Sequence, residues 1–168
     1  ALEKKVLVFD GAMGTSLQLQ NLTAEHFGGE QYNGCNDYLV ISYPQAVEKV
    51  HRSFLEVGVD VLETNTFRSN RITMAEYKLQ DRVIEINETA ARLARRLADE
   101  YSTAKGAKNA KGIELNLGDL RGSENQPRFV AGSIGPSGKL PSADDPELSN
   151  VGFDELADVF REQAVGLI

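Results

Sequence analysis

The sequence predicts an α/β fold assembled from repeated β-loop-α units, and three short stretches carry that prediction. Val6-Leu7-Val8-Phe9 runs into Asp10-Gly11-Ala12-Met13-Gly14-Thr15, Val59-Asp60-Val61-Leu62 runs into Glu63-Thr64-Asn65-Thr66-Phe67, and Phe129-Val130-Ala131 runs into Gly132-Ser133-Ile134-Gly135-Pro136. Each is a strand-sized apolar run that ends in a polar or glycine-rich tip and precedes a stretch readable as a helix. α/β folds present ligand-binding groups at the carboxyl ends of their strands, so Asp10, delivered into a glycine-flanked turn, marks a candidate binding position.

Taken in order, the first strand is expected over about Lys5 to Phe9. A polar connection through Asn21, Gly28, Gly29, Gly34 and Asn36 follows; it is long for a βα loop, and loops of that length are usually functional or act as lids. Pro44 suits the first turn of a helix, and Val47, Val50, Phe54 and Leu55 recur at helical spacing until Gly58 stops it. The second strand follows at once. Asn70 to Tyr77 reads as a short helix and Arg82 to Tyr101 as a long one, with Val83, Ile86, Ala90, Leu93, Ala94, Leu97 and Tyr101 forming the sheet-facing stripe. Arg92, Arg95 and Arg96, beside Asp99 and Glu100, read as a solvated helix face.

From about Ser102 to Arg128 the composition shifts to Lys, Gly, Ala and Asn, so residues 103–127 read as a surface insertion within one domain spanning 1–168, with a short strand possible at Ile113 to Leu117. The third strand begins near Phe129. A polar loop through Asp144, Asp145 and Pro146 then leads to a helix from about Asp154 with the stripe Leu156, Phe160, Ala164 and Leu167. Three parallel strands with their helices leave an unpaired edge, so the chain is expected to be part of a larger domain whose fourth strand follows Ile168.

Composition narrows the function classes. Hydrophobic residues make up 41% and charged residues 26% of the 168, ordinary values for a soluble globular protein. No apolar run approaches the roughly 20 residues that span a bilayer, and the N-terminus lacks a signal-peptide pattern, so a cytoplasmic protein without a membrane partner is expected. The net charge of −7 is scattered along the chain, which argues against a nucleic-acid surface. A single cysteine, Cys35, forbids an internal disulfide, and no Cys/His cluster is present to hold a metal. Cys35 reads as a packing residue. His26 and His51 are too isolated in the sequence to suggest a catalytic pair.

Asp10 admits two readings from its spacing. It can pair with a ligand ammonium while exposed backbone N–H groups receive a ligand carboxylate, or it can merely cap the turn. The three strand-tip motifs together, supported by Asn36-Asp37-Tyr38-Leu39-Val40 and Asn150-Val151-Gly152-Phe153-Asp154-Glu155-Leu156, resemble the homocysteine S-methyltransferase family. The likeness covers nearly the whole chain outside residues 103–126. Within the family it is greatest to the homocysteine-binding module of the cobalamin-dependent branch, the methionine synthases.

The resemblance implies a (β/α)8 TIM barrel, of which this chain supplies the first part, about three βα units, and is incomplete as given. It also implies homocysteine bound at the carboxyl end of the strands with its thiolate on zinc. Asp10 would hold the substrate amino group, backbone N–H groups around Gly11 and Ala12 its carboxylate, and Asn65, Thr66, Gly132 and Ser133 would line the same mouth. The implied reaction is transfer of a methyl group from methylcobalamin, ultimately from methyltetrahydrofolate, to the zinc-bound thiolate, making methionine; zinc favours the thiolate, which is the nucleophile.

The family's three zinc cysteines belong to the second half of the barrel, and Cys35 matches none of them. The resemblance therefore places the zinc ligands beyond residue 168 and no catalytic residue within this chain, which alone would be inactive. Its partners would be homocysteine, the rest of the barrel, and the folate, cobalamin and reactivation modules of the full protein. Two alternatives stay open: a betaine- or S-methylmethionine-dependent homocysteine methyltransferase, and a non-catalytic amino-acid or anion-binding module.

Overall fold

The computed structural model describes residues 6–102, 127–141 and 151–168. The expected insertion over 103–127 therefore lies, apart from Pro127, outside the described residues, as do the strand at Ile113 to Leu117 and the loop through Asp144, Asp145 and Pro146.

The fold is mixed α/β, rich in helix around a small parallel sheet. Strand β1 (Val61–Glu63) pairs in parallel with β2 (Phe129–Ala131), setting Val61 opposite Phe129, Leu62 opposite Val130 and Glu63 opposite Ala131. Beside β1, Phe9 makes a parallel bridge to Val61, and the Asp10 N–H donates to the Val61 carbonyl at 3.0 Å. The three segments thus lie side by side in chain order, as consecutive βα units do. The first is only a bridge among the described residues, rather than the full strand expected. Val61 and Leu62 are both buried, so β1 is covered on both faces up to the exposed Glu63 at its end.

The helices are α1 (Met13–Gln18), α2 (Leu39–Ser42), α3 (Pro44–Val57), α4 (Arg71–Met74), α5 (Val83–Ser102) and α6 (Phe153–Leu167). The connection expected as a polar loop or lid is instead partly helical: α1, 3-10 turns at Glu30–Tyr32 and Asn36–Tyr38, and α2. Leu17, Phe27, Cys35, Tyr38 and Leu39 along it are buried in the core, so apolar burial holds it in place. Its helices escape a reading by caps because α1 is preceded by Ala12, which has no capping side chain.

Helix α3 follows its sequence signals. Pro44 stands in the first turn, Ala46, Val47, Val50, His51 and Leu55 are buried, and Gly58 closes the helix at φ 98°, its N–H reaching the carbonyls of Phe54 and Leu55. Only glycine takes this left-handed position without strain. Gly58→Ala is therefore expected to cost about 1 kcal/mol, read as a lower urea midpoint of the intact protein; an unchanged midpoint would show that the helix end does not need this conformation.

Helix α5 buries Val83, Ile86, Ala90, Leu93, Ala94 and Leu97 as its spacing predicts, with Tyr101 half-buried at the end. Its arginines form the solvated face. Arg92 pairs with Glu88, Arg95 with Asp99, and Arg96 with Glu100 and with Glu48 of α3. Such exposed pairs each contribute about 0–1 kcal/mol.

Helix α6 departs from expectation. Its buried face is Val159, Gln163 and Gly166, while Leu156, Phe160, Ala164 and Leu167 are only half-buried. The reason is close packing on α5: a Cβ on Gly166 would meet the Cβ of Asn87 at 2.8 Å and the carbonyl of Ile84 at 3.0 Å, so the helices touch where there is no side chain. Gln163 Nε2 donates to the Thr66 carbonyl at 2.7 Å, which fixes the rotation of α6 towards the end of β1.

At the amino end of the sheet a polar lock holds the strands together. Asp60 Oδ2 accepts from the Val8 N–H at 3.0 Å, and the nearly buried Arg128 donates to the carbonyls of Gly58 and Val59 and lies 3.4 Å from Asp60 Oδ1. The opposite, carboxyl end carries the cavity.

Candidate functional site

The carboxylate of Asp10 turns inward where the first segment leaves the sheet. Oδ1 accepts the Glu63 N–H at 2.7 Å, Oδ2 lies 3.5 Å from Nδ1 of His51 on α3, and the side chain is only 3% exposed. Asp10 thus ties its own strand end to that of β1. A carboxylate has about four lone-pair positions, so these contacts leave it able to accept a further donor.

Beside it opens a cavity of about 300 Å³ at the carboxyl end of β1. One wall is the turn Asp10 to Gly14, in which Ala12 adopts the left-handed conformation (φ 51°, ψ 30°). A non-glycine residue held there stores about 1–2 kcal/mol, a strain that tight packing around functional turns can sustain. Because α1 starts without a capping side chain, its first-turn N–H groups lack that partner.

The facing wall is the stretch Glu63 to Arg68, with Ser133 beside it. A closed ring of hydrogen bonds shapes this wall. The Ser133 N–H donates to Thr64 Oγ1 at 2.9 Å, and Thr66 Oγ1 donates to the Ser133 carbonyl at 2.8 Å. Each hydroxyl has one proton, so in the 2.6 Å contact between the two threonines Thr64 is the donor. The third wall is the turn at Asn36 and Asp37. The Asn36 carbonyl accepts from Asn65 Nδ2 at 2.7 Å and Asp37 Oδ1 accepts from the Arg68 N–H at 3.0 Å.

Of the residues singled out from sequence, Asp10, Gly11, Ala12, Asn65, Thr66 and Ser133 all line this cavity. Gly132 is not among its lining residues and packs against Leu167, whose Cδ1 a Cβ would meet at 2.8 Å. The sequence alone gives no site role to Glu63, Thr64, Phe67, Arg68, Asn36 or Asp37, although all of these except Arg68 fall inside its motifs. It also set His51 aside, which only the folding of α3 behind Asp10 brings into play.

The charge of the cavity favours a cation. Asp10, Asp37 and Glu63 line it, and its arginine, Arg68, has its guanidinium held by both carboxylate oxygens of Glu76 at 2.9 Å. Burial pushes the Asp37 carboxyl up to about 6, partly offset by the Arg68 N–H. Burial also pushes the Cys35 thiol up to about 12, so it stays protonated at neutral pH and makes a poor metal ligand or nucleophile. Among the described residues no group of three or more His, Cys, Asp or Glu side chains is placed to hold a metal ion.

The family profile described as homocysteine S-methyltransferase matches residues 7–168. The chain belongs to the homocysteine S-methyltransferase family. It is also similar in fold to the crystal structure of the homocysteine methyltransferase MmuM from Escherichia coli in its oxidized form, with a TM-score of 0.68 and 18% identity. That match covers 99% of this chain and 50% of the MmuM chain, so the present chain spans about half the length of that relative. The motifs that suggested the family at Asp10 to Thr15, Glu63 to Phe67 and Val130 to Pro136 all lie within the matched region, and the first two furnish two walls of the cavity. No helix among the described residues is long and apolar enough to cross a membrane.

Proposed function

We propose that this chain is the homocysteine-binding part of a methyltransferase of the methionine synthase type, with methylcobalamin as methyl donor. The observation that carries the reading is the convergence of the Asp10 carboxylate and the uncapped turn at Gly11 and Ala12 on one small, acid-rich cavity. In this reading Asp10 accepts the substrate ammonium, the N–H groups of the turn receive the substrate carboxylate, and Asn65, Thr66 and Ser133 complete the walls. The chain also forms the first part of a (β/α)8 barrel, a reading supported by its three parallel segments lying in chain order.

Zinc, implied by the family resemblance, does not fit the residues described, since Cys35 is buried and protonated and no other set of ligands comes together. The chain's own contribution is therefore recognition of the amino-acid end of homocysteine, with the zinc ligands and the cobalamin and folate modules supplied by other parts of the full protein.

The test is zinc content and homocysteine calorimetry on this chain and on a version extended through the remaining strands. The extended version alone is expected to bind zinc stoichiometrically and to bind homocysteine. Asp10→Asn, which keeps an acceptor for the Glu63 N–H but removes the charge, should weaken homocysteine binding about thirtyfold, or about 2 kcal/mol. If neither version binds homocysteine, a non-catalytic module that binds another amino acid or an anion becomes the better reading.

A further inference from the structure

Among the described residues, Asn70, Asn87, Arg128 and Gln163 each leave one buried polar atom unpaired, whereas His51 leaves both of its ring nitrogens so. It is fully buried on α3, between Val47 and Val50 on one side and Leu55 on the other along the helix, and neither ring nitrogen has a hydrogen-bond partner. Buried polar atoms in folded proteins are nearly always paired, so an imidazole left open on both nitrogens calls for a reason. Its Nδ1 lies 3.5 Å from Asp10 Oδ2, an oxygen not used by Glu63.

We propose that His51 is a positioning residue for substrate binding, its Nδ1–H directed at Asp10 Oδ2 so that the carboxylate is held between α3 and the Glu63 N–H and offers its remaining lone pairs to the substrate ammonium. This rests on the reading of Asp10 as the partner of the amino group. His51 is absent from the lining of the cavity, so it acts through Asp10 and not on the ligand. The arrangement follows from packing. Apolar burial of α3 sets where the ring sits, the ring sets one oxygen and β1 sets the other, and the carboxylate plane is thereby fixed before any ligand arrives.

The test compares His51→Asn, whose amide nitrogen falls near the place of Nδ1, with His51→Leu and His51→Gln, which leave that place without a donor. All are measured in the intact protein by homocysteine KM, kcat and thermal midpoint. His51→Leu and His51→Gln are expected to raise the homocysteine KM about tenfold with kcat within about twofold, and His51→Asn to stay within about threefold of the wild-type KM. Using glutamine beside leucine keeps the comparison available if the apolar variant does not fold.

An unchanged KM in His51→Leu or His51→Gln overturns the inference. So does a His51→Asn variant that melts like the others yet does not recover KM, since that pattern belongs to a residue needed only for packing. Asp10→Asn separates the two levels: if it raises KM while the donor-free His51 variants do not, the inference alone fails, and if it leaves KM unchanged, the reading of Asp10 fails and the inference falls with it.

Discussion

Asp37→Asn is expected to make the protein more stable at neutral pH by about 3 kcal/mol and to flatten its stability between about pH 4 and pH 6. Asp37 is buried at the cavity wall, and desolvation lifts its carboxyl from 3.8 to about 6. The folded state therefore holds the Asp37 proton more tightly than the unfolded chain does. In the interval between those two values the folded state binds more protons, so stability falls as pH rises, and the whole cost stands above about pH 6. Asparagine has no charge to desolvate, and its Oδ1 can still accept the Arg68 N–H that Asp37 accepts at 3.0 Å. Urea unfolding of both proteins at pH 4, 5, 6 and 7 is the measurement. The curves should meet near pH 4 and diverge upward for the variant; parallel profiles would mean that Asp37 is solvated well enough to ionise freely.

Gly135→Ala is expected to destabilise by about 3 kcal/mol or more, at the upper end for overpacking a close contact. A Cβ at Gly135 would lie 2.5 Å from the Phe67 carbonyl and 2.8 Å from two carbons of its ring. The nearest obstacle is backbone and cannot swing aside. The Gly135 N–H also donates to that carbonyl at 2.9 Å, so relief of the clash breaks the bond joining the two strand-end segments. Because Phe67 and Arg68 belong to the cavity wall, the proposed function implies that the same change weakens homocysteine binding. The urea midpoint and calorimetry of the intact protein measure both effects, and a variant with the wild-type midpoint would show that the segments have room to separate.

What could be read from sequence was local. Pro44, Gly58 and the apolar spacing between them specify α3, and the stripe from Val83 to Leu97 specifies α5, because burial on one face leaves a helical period. The strand tips were legible because apolar runs ending in glycine or polar residues have few other uses. The partly helical connection after the first segment was not, since α1 has no cap and its neighbours are single turns held by tertiary burial. The buried face of α6 was misjudged because it joins only Val159 to Gln163 and Gly166, so no apolar stripe marks it, and the contact of Gly166 with Asn87 and Ile84 sets it instead. In the site, the strand-end positions could be named individually, whereas the meeting of His51 with Asp10, and of Asp37 with Arg68, depends on how distant segments fold together.

Those distant meetings bear on how the protein reaches its native state. The bonds that close the cavity link Asn36 to Asn65, Asp10 to Glu63, Thr66 to Ser133 and Thr66 to Gln163, over separations of 29, 53, 67 and 97 residues. Loop-closure entropy must be overcome before any of these contacts can form, so helices such as α5 can arise locally while the cavity waits for the segments to be gathered. A ligand that bridges those walls needs the finished arrangement, because its contacts come from segments that only the native state gathers. Its affinity then adds to the stability of the native state by mass action, so any ligand of this cavity also strengthens the long-range contacts that form it.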